Sequence, residues 1–442
     1  MLRRLLAIAL PMVASQASET VMLFVDRLFL SRVSQLHLSA AMGGGLTQFT
    51  VSSIFVGIAG YVNAIVAQYY GANRRDQCGV ATAHALYFAL LSAPVLITIS
   101  FGMPAFFTFM HHDPGQIPLE SVYAQWLLRA GALLLVRHAL AGFFIGIGRT
   151  RVVMIGNVVA MVVNVPLNYL LIFGKLGFPA LGMVGAAIGT IGGGAAGLGI
   201  LLAAYLSKSV DAEYRTRSSW RFVSAMLKRL LRYGAPAGVE MALNLLAFNL
   251  FVQLMHSYSA EVAAATTITF NWDIVAFIPM LGLGAATTSV VGQFIGARDP
   301  EGARQVTLLS LRVAYCYSGT MMLIFFTAAP HLVHVFSSGF GDPGAVSGLA
   351  STMLRLAGLY TLADCTQLVF SGALRGAGDT SWVMRASVIL HWIFAVIAVV
   401  MIRVLAAPPV LVWVFFILFV FSLSITMYLR FRGGVWQSKS VI

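Results

Sequence analysis

The sequence predicts an all-α polytopic membrane protein: twelve transmembrane helices in two pseudo-symmetric six-helix bundles. Three observations carry that expectation. Of 442 residues, 59% are hydrophobic and only 10% are charged, against roughly 25% charged in an ordinary soluble domain. The apolar residues fall into about twelve stretches, most of them reaching the roughly 20 residues that a helix needs to cross hydrocarbon. Motifs of the first half recur, in the same order, in the second.

The first expected span, 5–31, follows Arg3 and Arg4. A basic start, a short apolar run and small residues also describe a secretory leader. Apolarity resumes through Val21–Leu30 after Glu19, however, so one uncleaved span is expected. Spans 40–70, 80–110, 121–147, 152–173 and 181–206 complete a first bundle over residues 1–206. A basic linker, 207–229, follows. Trp220, Val223, Leu227 and Leu230 recur there at helical spacing among Arg221, Lys228, Arg229 and Arg232. That pattern suits either a helix lying in the membrane interface or a plain basic connector. The second bundle, 230–442, holds spans 230–257, 262–296, 305–336, 347–374, 383–404 and 408–430. Several of the twelve exceed the minimum length, which implies tilt or protrusion.

The formal net charge is +13. In a soluble protein this would suggest nucleic acid. Here the basic residues collect in alternate loops. Arg74, Arg75, Arg149, Arg151, Arg298, Arg304, Arg375 and Arg385 lie on the side of both termini and the linker, against only Arg32, Lys175 and Arg403 on the other, plus Arg27 near a span end. The positive-inside rule then places both termini in the cytoplasm. The plasma membrane is the expected location (the inner membrane, if the source is bacterial), with membrane lipids and no nucleic acid as partners. Cys78, Cys316 and Cys365 have neither disulfide nor metal spacing. His111, His112, His331 and His334 sit in or beside outer loops, and no metal site or cofactor is expected. There is no GxxxxGK[ST] motif for ATP and no catalytic triad, so an enzyme is not expected.

The repeat is specific. Val66-Ala67-Gln68-Tyr69-Tyr70-Gly71-Ala72 returns 225 positions on as Val291-Gly292-Gln293-Phe294-Ile295-Gly296-Ala297. Pro11 and Pro236 share that offset. Gly146-Ile147-Gly148-Arg149-Thr150 returns as Gly376-Ala377-Gly378-Asp379-Thr380. Six spans precede the linker, an even number, so the two halves run parallel about an axis along the membrane normal, and a cavity is expected between them.

A few carboxylates interrupt the apolar spans. Asp26 is the foremost. An acid at bilayer depth costs at least about 2.5 kcal/mol and usually faces a water-filled cavity, where it serves a function. Such an acid can take up H⁺ or Na⁺ and release it, which is the chemistry of a secondary transporter. Glu19 lies two turns earlier on the same helix face, either as a ligand for a cationic substrate or second proton, or as an interfacial acid reaching water.

At this level of detail the chain resembles the MATE (multidrug and toxic compound extrusion) family. Leu10-Pro11 with Phe24-Val25-Asp26, the Gln68 and Gln293 motifs, Asn164-Val165-Pro166-Leu167-Asn168-Tyr169, Tyr233-Gly234-Ala235-Pro236 and Leu374-Arg375-Gly376-Ala377-Gly378-Asp379-Thr380 carry the resemblance. It implies a V-shaped, monomeric exporter that couples entry of H⁺ or Na⁺ to extrusion of small organic compounds, mostly cations. It also implies a coupling site of Asp26, Asn164, Asn168 and Thr190. Asn164 and Asn168 are one turn apart and face one way, and with a carboxylate and a hydroxyl they make a cage of hard oxygens. The family carries an Asp or an Asn at this second position, and Asn168, rather than Asp, removes one charge and weakens the case for Na⁺ specifically. The same asparagines also suit interhelical glue. In the second half the resemblance points to Asp364 with Tyr360 one turn before it. Glu240 is the expected partner of Asp364, because Asn244 occupies the family's acidic position. Asp273 is expected near a loop, with a place lining the cavity as the alternative. The rival function within the superfamily is a flippase for lipid-linked precursors.

Overall fold

A computed structural model describes residues 1–337 and 343–442, with side chains for 1–335 and 346–442. Among these residues the chain is all helical. The first half holds α1 (Leu2–Val33), α2 (Gln35–Gly60) continued by α3 (Val62–Gly71), α4 (Arg75–Phe101), short α5 (Met103–Phe109), α6 (Ile117–Arg129) continued by α7 (Gly131–Gly146), α8 (Thr150–Phe173) and α9 (Met183–Tyr205). Short α10 (Lys208–Tyr214) leads to the second half: α11 (Ser224–His256), α12 (Ala260–Gly296), α13 (Pro300–Ser337), α14 (Pro343–Ala377), α15 (Thr380–Arg403) and α16 (Pro409–Arg432).

Ten of these are long and apolar enough to cross a membrane when α2 and α3 count as one, and the pair α6–α7, bent by 49°, makes an eleventh. The twelfth is α14. It is 35 residues long but carries Arg355, Asp364 and Arg375, so apolarity alone understates it. Its packing against α12, α13 and α16 gives it the place of a span. The expected span 121–147 is therefore two helices that meet at Ala130, and 40–70 is two that meet at Tyr61.

The expected interfacial helix around Trp220 does not form. Residues 215–223 have no helix, and α11 starts at Ser224, so Leu227 and Leu230 belong to that span. The stretch before it is held instead by side chains of α4. The backbone N–H of Val223 donates to His84 Nε2 at 2.7 Å, and the Tyr87 ring meets the Trp220 ring edge-on at 6.0 Å.

Contacts between the halves reproduce the sequence repeat as a pseudo-twofold. Gln68 Nε2 donates to the Gly376 carbonyl at 2.8 Å, and Gln293 Nε2 donates to the Gly146 carbonyl at 2.7 Å. Each glutamine thus caps the glycine motif of the opposite half. The backbones cross just as reciprocally. A Cβ on Gly71 would lie 1.8 Å from the Gln293 carbonyl oxygen, and one on Gly296 would lie 1.9 Å from that of Gln68. Only glycine allows that approach. Gly57 against Gly238, and Gly282 against Met12 and Val13, extend the same seam. Small residues are the natural joint here, because lipid offers helices no hydrophobic reason to associate and close van der Waals packing must supply it.

Every hydrogen bond between the halves among the described residues lies toward the arginine-rich end, including Arg4 to Gln293 at 2.5 Å and Tyr61 to the Arg375 carbonyl at 2.9 Å. The last residues add to this seal. Ser440 Oγ and the Val441 N–H donate to Gln68 Oε1 at 3.0 and 2.9 Å. Toward the other end the facing helices part. Phe24 of α1, Phe49 of α2, Leu246 of α11 and Val275 of α12 are all exposed there. The molecule is a V, closed at the arginine-rich end.

Candidate functional site

The second half of α1 buries one stripe, Met22, Asp26 and Leu30, which puts Asp26 inside the first bundle against α8 and α9. Its side chain is only 3% exposed. Asn168 Nδ2 donates to Asp26 Oδ1. Thr190 Oγ1 lies 3.2 Å from Asp26 Oδ2 and 2.9 Å from its own helix's Ala186 carbonyl, so its one proton serves one of the two. Asn164 lies beside the same carboxylate. The four residues named from sequence are therefore together. Glycine spacing on α9 makes this possible: Gly189 and Gly193, one turn apart, press directly onto Asn168 and Asn164.

The side-chain oxygens of Asn164 and Asn168 are buried without a hydrogen-bond partner in the protein. Buried polar atoms are nearly always paired, and unpaired ones mark a place for a bound species. Two neutral oxygens beside a carboxylate suit a small cation: Na⁺ accepts several such donors, and H⁺ needs the carboxylate alone. Among the described residues no arginine is bonded to Asp26. Arg27, next in sequence, is exposed.

Glu19 is separate from this group. Its Oε1 accepts from Arg137 NH2 at 2.9 Å and from Asn157 Nδ2 at 3.1 Å. Arg137, in the middle of α7, thus has an ion-pair partner that its sequence position did not reveal.

In the second half the expected pairing of Glu240 with Asp364 is corrected. Glu240, 2% exposed, is bonded at 2.7 Å to Arg375 of α14. Asp364 instead lies close to Asp273 of α12, and Tyr360 lies near both. Asp273 and Asp364 line one narrow pocket with Met280, Ser318, Met321 and Thr361. Asp273 is accordingly no loop acid. Asn244 donates to Ser387 at 2.8 Å and takes no part in either group.

The Glu240–Arg375 pair yields a direct prediction. Taking one partner from a buried ion pair costs about 3–5 kcal/mol, since the other charge is left stranded. Arg375→Met is expected to lower the melting temperature of the purified protein by several degrees, and Arg375→Met/Glu240→Gln to recover most of the loss. Equal melting temperatures for wild type and Arg375→Met would show that the pair does not brace α11 against α14.

With this geometry in view, likeness to known proteins decides the family. The MatE family model matches residues 11–170 and 236–402. The chain belongs to the MatE family. A MatE relative from Neisseria meningitidis serogroup A, "Probable multidrug resistance protein NorM", is 28% identical over 403 residues, 88% of this chain and 84% of that protein. "Multidrug resistance protein MdtK" of Photorhabdus laumondii is 25% identical over 452 residues, all of this chain and 97% of that one. Among solved structures, the eukaryotic MATE transporter AtDTX14 superposes with a TM-score of 0.86 at 19% identity, over 98% of this chain and 96% of that one. A MOP superfamily transporter from Pyrococcus furiosus gives 0.87 at 18% identity, over 99% and 96%. These likenesses fix the fold, and the chain is a multi-pass membrane protein.

Two features of this MatE chain escaped sequence reading. Tyr123 of α6, 6% exposed, lies beside both Asp26 and Thr190. Glu120, one turn earlier, is fully buried. It is held by His112 at 2.7 Å and Gln116 at 2.6 Å, with its side chain over Gly43 of α2. Glu120 thus pins the loop between α5 and α6 to α2, at the open end of the V.

Proposed function

We propose that this chain is a secondary antiporter of the plasma membrane that exports organic, mostly cationic, drug-like compounds in exchange for H⁺ or Na⁺. Asp26 is the group on which the ion acts. The observation that carries this reading is a lone carboxylate enclosed by Asn164, Asn168 and Thr190, with unpaired amide oxygens beside it and no bonded arginine. The printed names of the Neisseria and Photorhabdus relatives support the drug class.

The cycle follows from charge. Both termini lie in the cytoplasm, so the open end of the V faces outward. Asp26 enters this state ionised, with a cationic substrate held in the cleft. H⁺ or Na⁺ arriving from outside neutralises the carboxylate, and the field that retained the substrate falls. The asparagines and Thr190 lose their anionic partner, and α1, α8 and α9 repack. Substrate leaves, and the unloaded protein closes outward and opens inward. The protein works as a monomer without a cofactor. Asp273 with Asp364 is a second, smaller acidic pair of the same chemistry in the other bundle.

The test is efflux from proteoliposomes under a pH gradient alone and a Na⁺ gradient alone. One gradient is expected to drive export and so to name the ion. Export under neither would end the antiport reading.

A further inference from the structure

Arg137 stands in mid-span, where an arginine is expensive and rare. It and Glu19 are bonded at 2.9 Å with side chains 11% and 31% exposed. The carboxylate bonds Arg137 of α7 and Asn157 of α8, so it joins three helices of the first bundle while keeping part of its surface accessible. The cluster is built up further. Asn157 Nδ2 also donates to Ser15 Oγ at 2.6 Å. His138 lies next to the pair, its Nδ1 2.9 Å from the Leu134 carbonyl.

The pair is only half used. Among the described residues, Glu19 Oε2 and the other guanidinium nitrogens of Arg137 have no hydrogen-bond partner, and none is among the sealed, unpaired atoms of the interior. They therefore reach open space. An ion pair that served bracing alone would have little reason to leave both of these edges unpaired and accessible, since each buried charge gains from every donor or acceptor it meets.

We infer that Glu19 and Arg137 form a substrate subsite that selects zwitterions, the carboxylate taking an ammonium and the guanidinium taking a carboxylate. This deepens the export reading and rests on it. A plain cation that binds Glu19 must displace Arg137 and strand its charge inside the bundle. A plain anion at Arg137 strands Glu19 in the same way. A ligand with both charges a few ångströms apart satisfies both partners at once, because a bidentate guanidinium–carboxylate contact replaces the bond that is given up.

A matched pair of fluorescent probes tests the inference. Nε-dansyl-lysine carries an ammonium and a carboxylate, and dansylcadaverine is the same molecule without the carboxylate. Titrated into the purified full-length protein, dansyl-lysine is expected to bind about tenfold more tightly than dansylcadaverine, a difference of about 1.4 kcal/mol. Arg137→Gln is expected to reverse that order, since it frees Glu19 for a simple cation. Glu19→Gln is expected to weaken dansyl-lysine about tenfold. The double variant Glu19→Gln/Arg137→Gln removes both charges at nearly constant volume and serves as the folding control, with no preference left. A wild-type preference for dansylcadaverine, binding of neither probe, or a ratio unchanged in both single variants would overturn the subsite. Asp26→Asn separates this from the export reading: it is expected to keep the probe ratio while losing ion-driven efflux. Normal efflux in that variant would defeat the export cycle and leave the subsite standing.

Discussion

Asp26→Asn is expected to fold and insert, to hold substrate only with the weaker affinity of the ion-loaded state, and to lose ion-driven export. The substitution keeps the side chain's size. The amide offers its nitrogen or its oxygen to Asn168 and Thr190, whose own amide and hydroxyl turn to match. What disappears is the charge. Coupling between two ligands is commonly worth about 1–3 kcal/mol, or roughly 5- to 150-fold. If all of it runs through this carboxylate, gradient-driven efflux should fall by that factor, to the rate seen with no gradient. Substrate exchange across a membrane with no ion gradient should persist. Efflux assays in proteoliposomes, with and without a gradient, read both numbers. A variant that exports against a gradient at wild-type rate would place coupling elsewhere, with Asp273 and Asp364 the next candidates.

Gly71→Val and Gly296→Val should have the second largest effect. Each added side chain begins within 2 Å of a carbonyl oxygen of the facing helix. No rotamer relieves a clash that starts at Cβ, and backbone has no flexible end to move aside. The seam at the arginine-rich end must then stay apart. Gln68 and Gln293 lose their carbonyl acceptors across it, and each buried amide left unpaired costs about 1–3 kcal/mol. Neither effect touches the packing inside a bundle, so both variants should be produced and inserted. They should populate the state open at the arginine-rich end. Spin labels placed on α3 and α12 at that end would report a longer distance than in wild type. An unchanged distance distribution would mean that the seam tolerates a side chain, and the close crossing would lose its mechanical role.

Much of this was legible in the sequence, and the reasons differ by element. Most spans were visible from apolarity, because lipid demands about 20 apolar residues whatever the fold, and the charged α14 was the one that apolarity alone understates. The pseudo-twofold came from motif order, and Gln68 and Gln293 turned out to be the residues that clasp the halves. Asn164 and Asn168 were visible because one helix carries both at one-turn spacing. What was missed joins different helices. Tyr123 reaches Asp26 from α6, and Arg137 reaches Glu19 from α7, across 118 positions of chain. Spacing within a helix says nothing of such meetings. Glu240 was assigned to Asp364 because Asn244 occupies the family's acidic position one turn later, and an arginine 135 positions away is its partner instead. The bend at Ala130 had no proline to announce it, and the linker stretch around Trp220 was drawn out of helix by His84 of a distant span.

The most direct test is a competition measurement. Tetraphenylphosphonium carries a fixed charge, so any effect of pH or Na⁺ on its binding belongs to the protein. Its affinity for the wild-type protein should fall as H⁺ or Na⁺ rises, whichever drives export, and its affinity for Asp26→Asn should ignore both. An affinity in wild type that is indifferent to pH and to Na⁺, or the same dependence in both proteins, would contradict a shared, mutually exclusive site at Asp26.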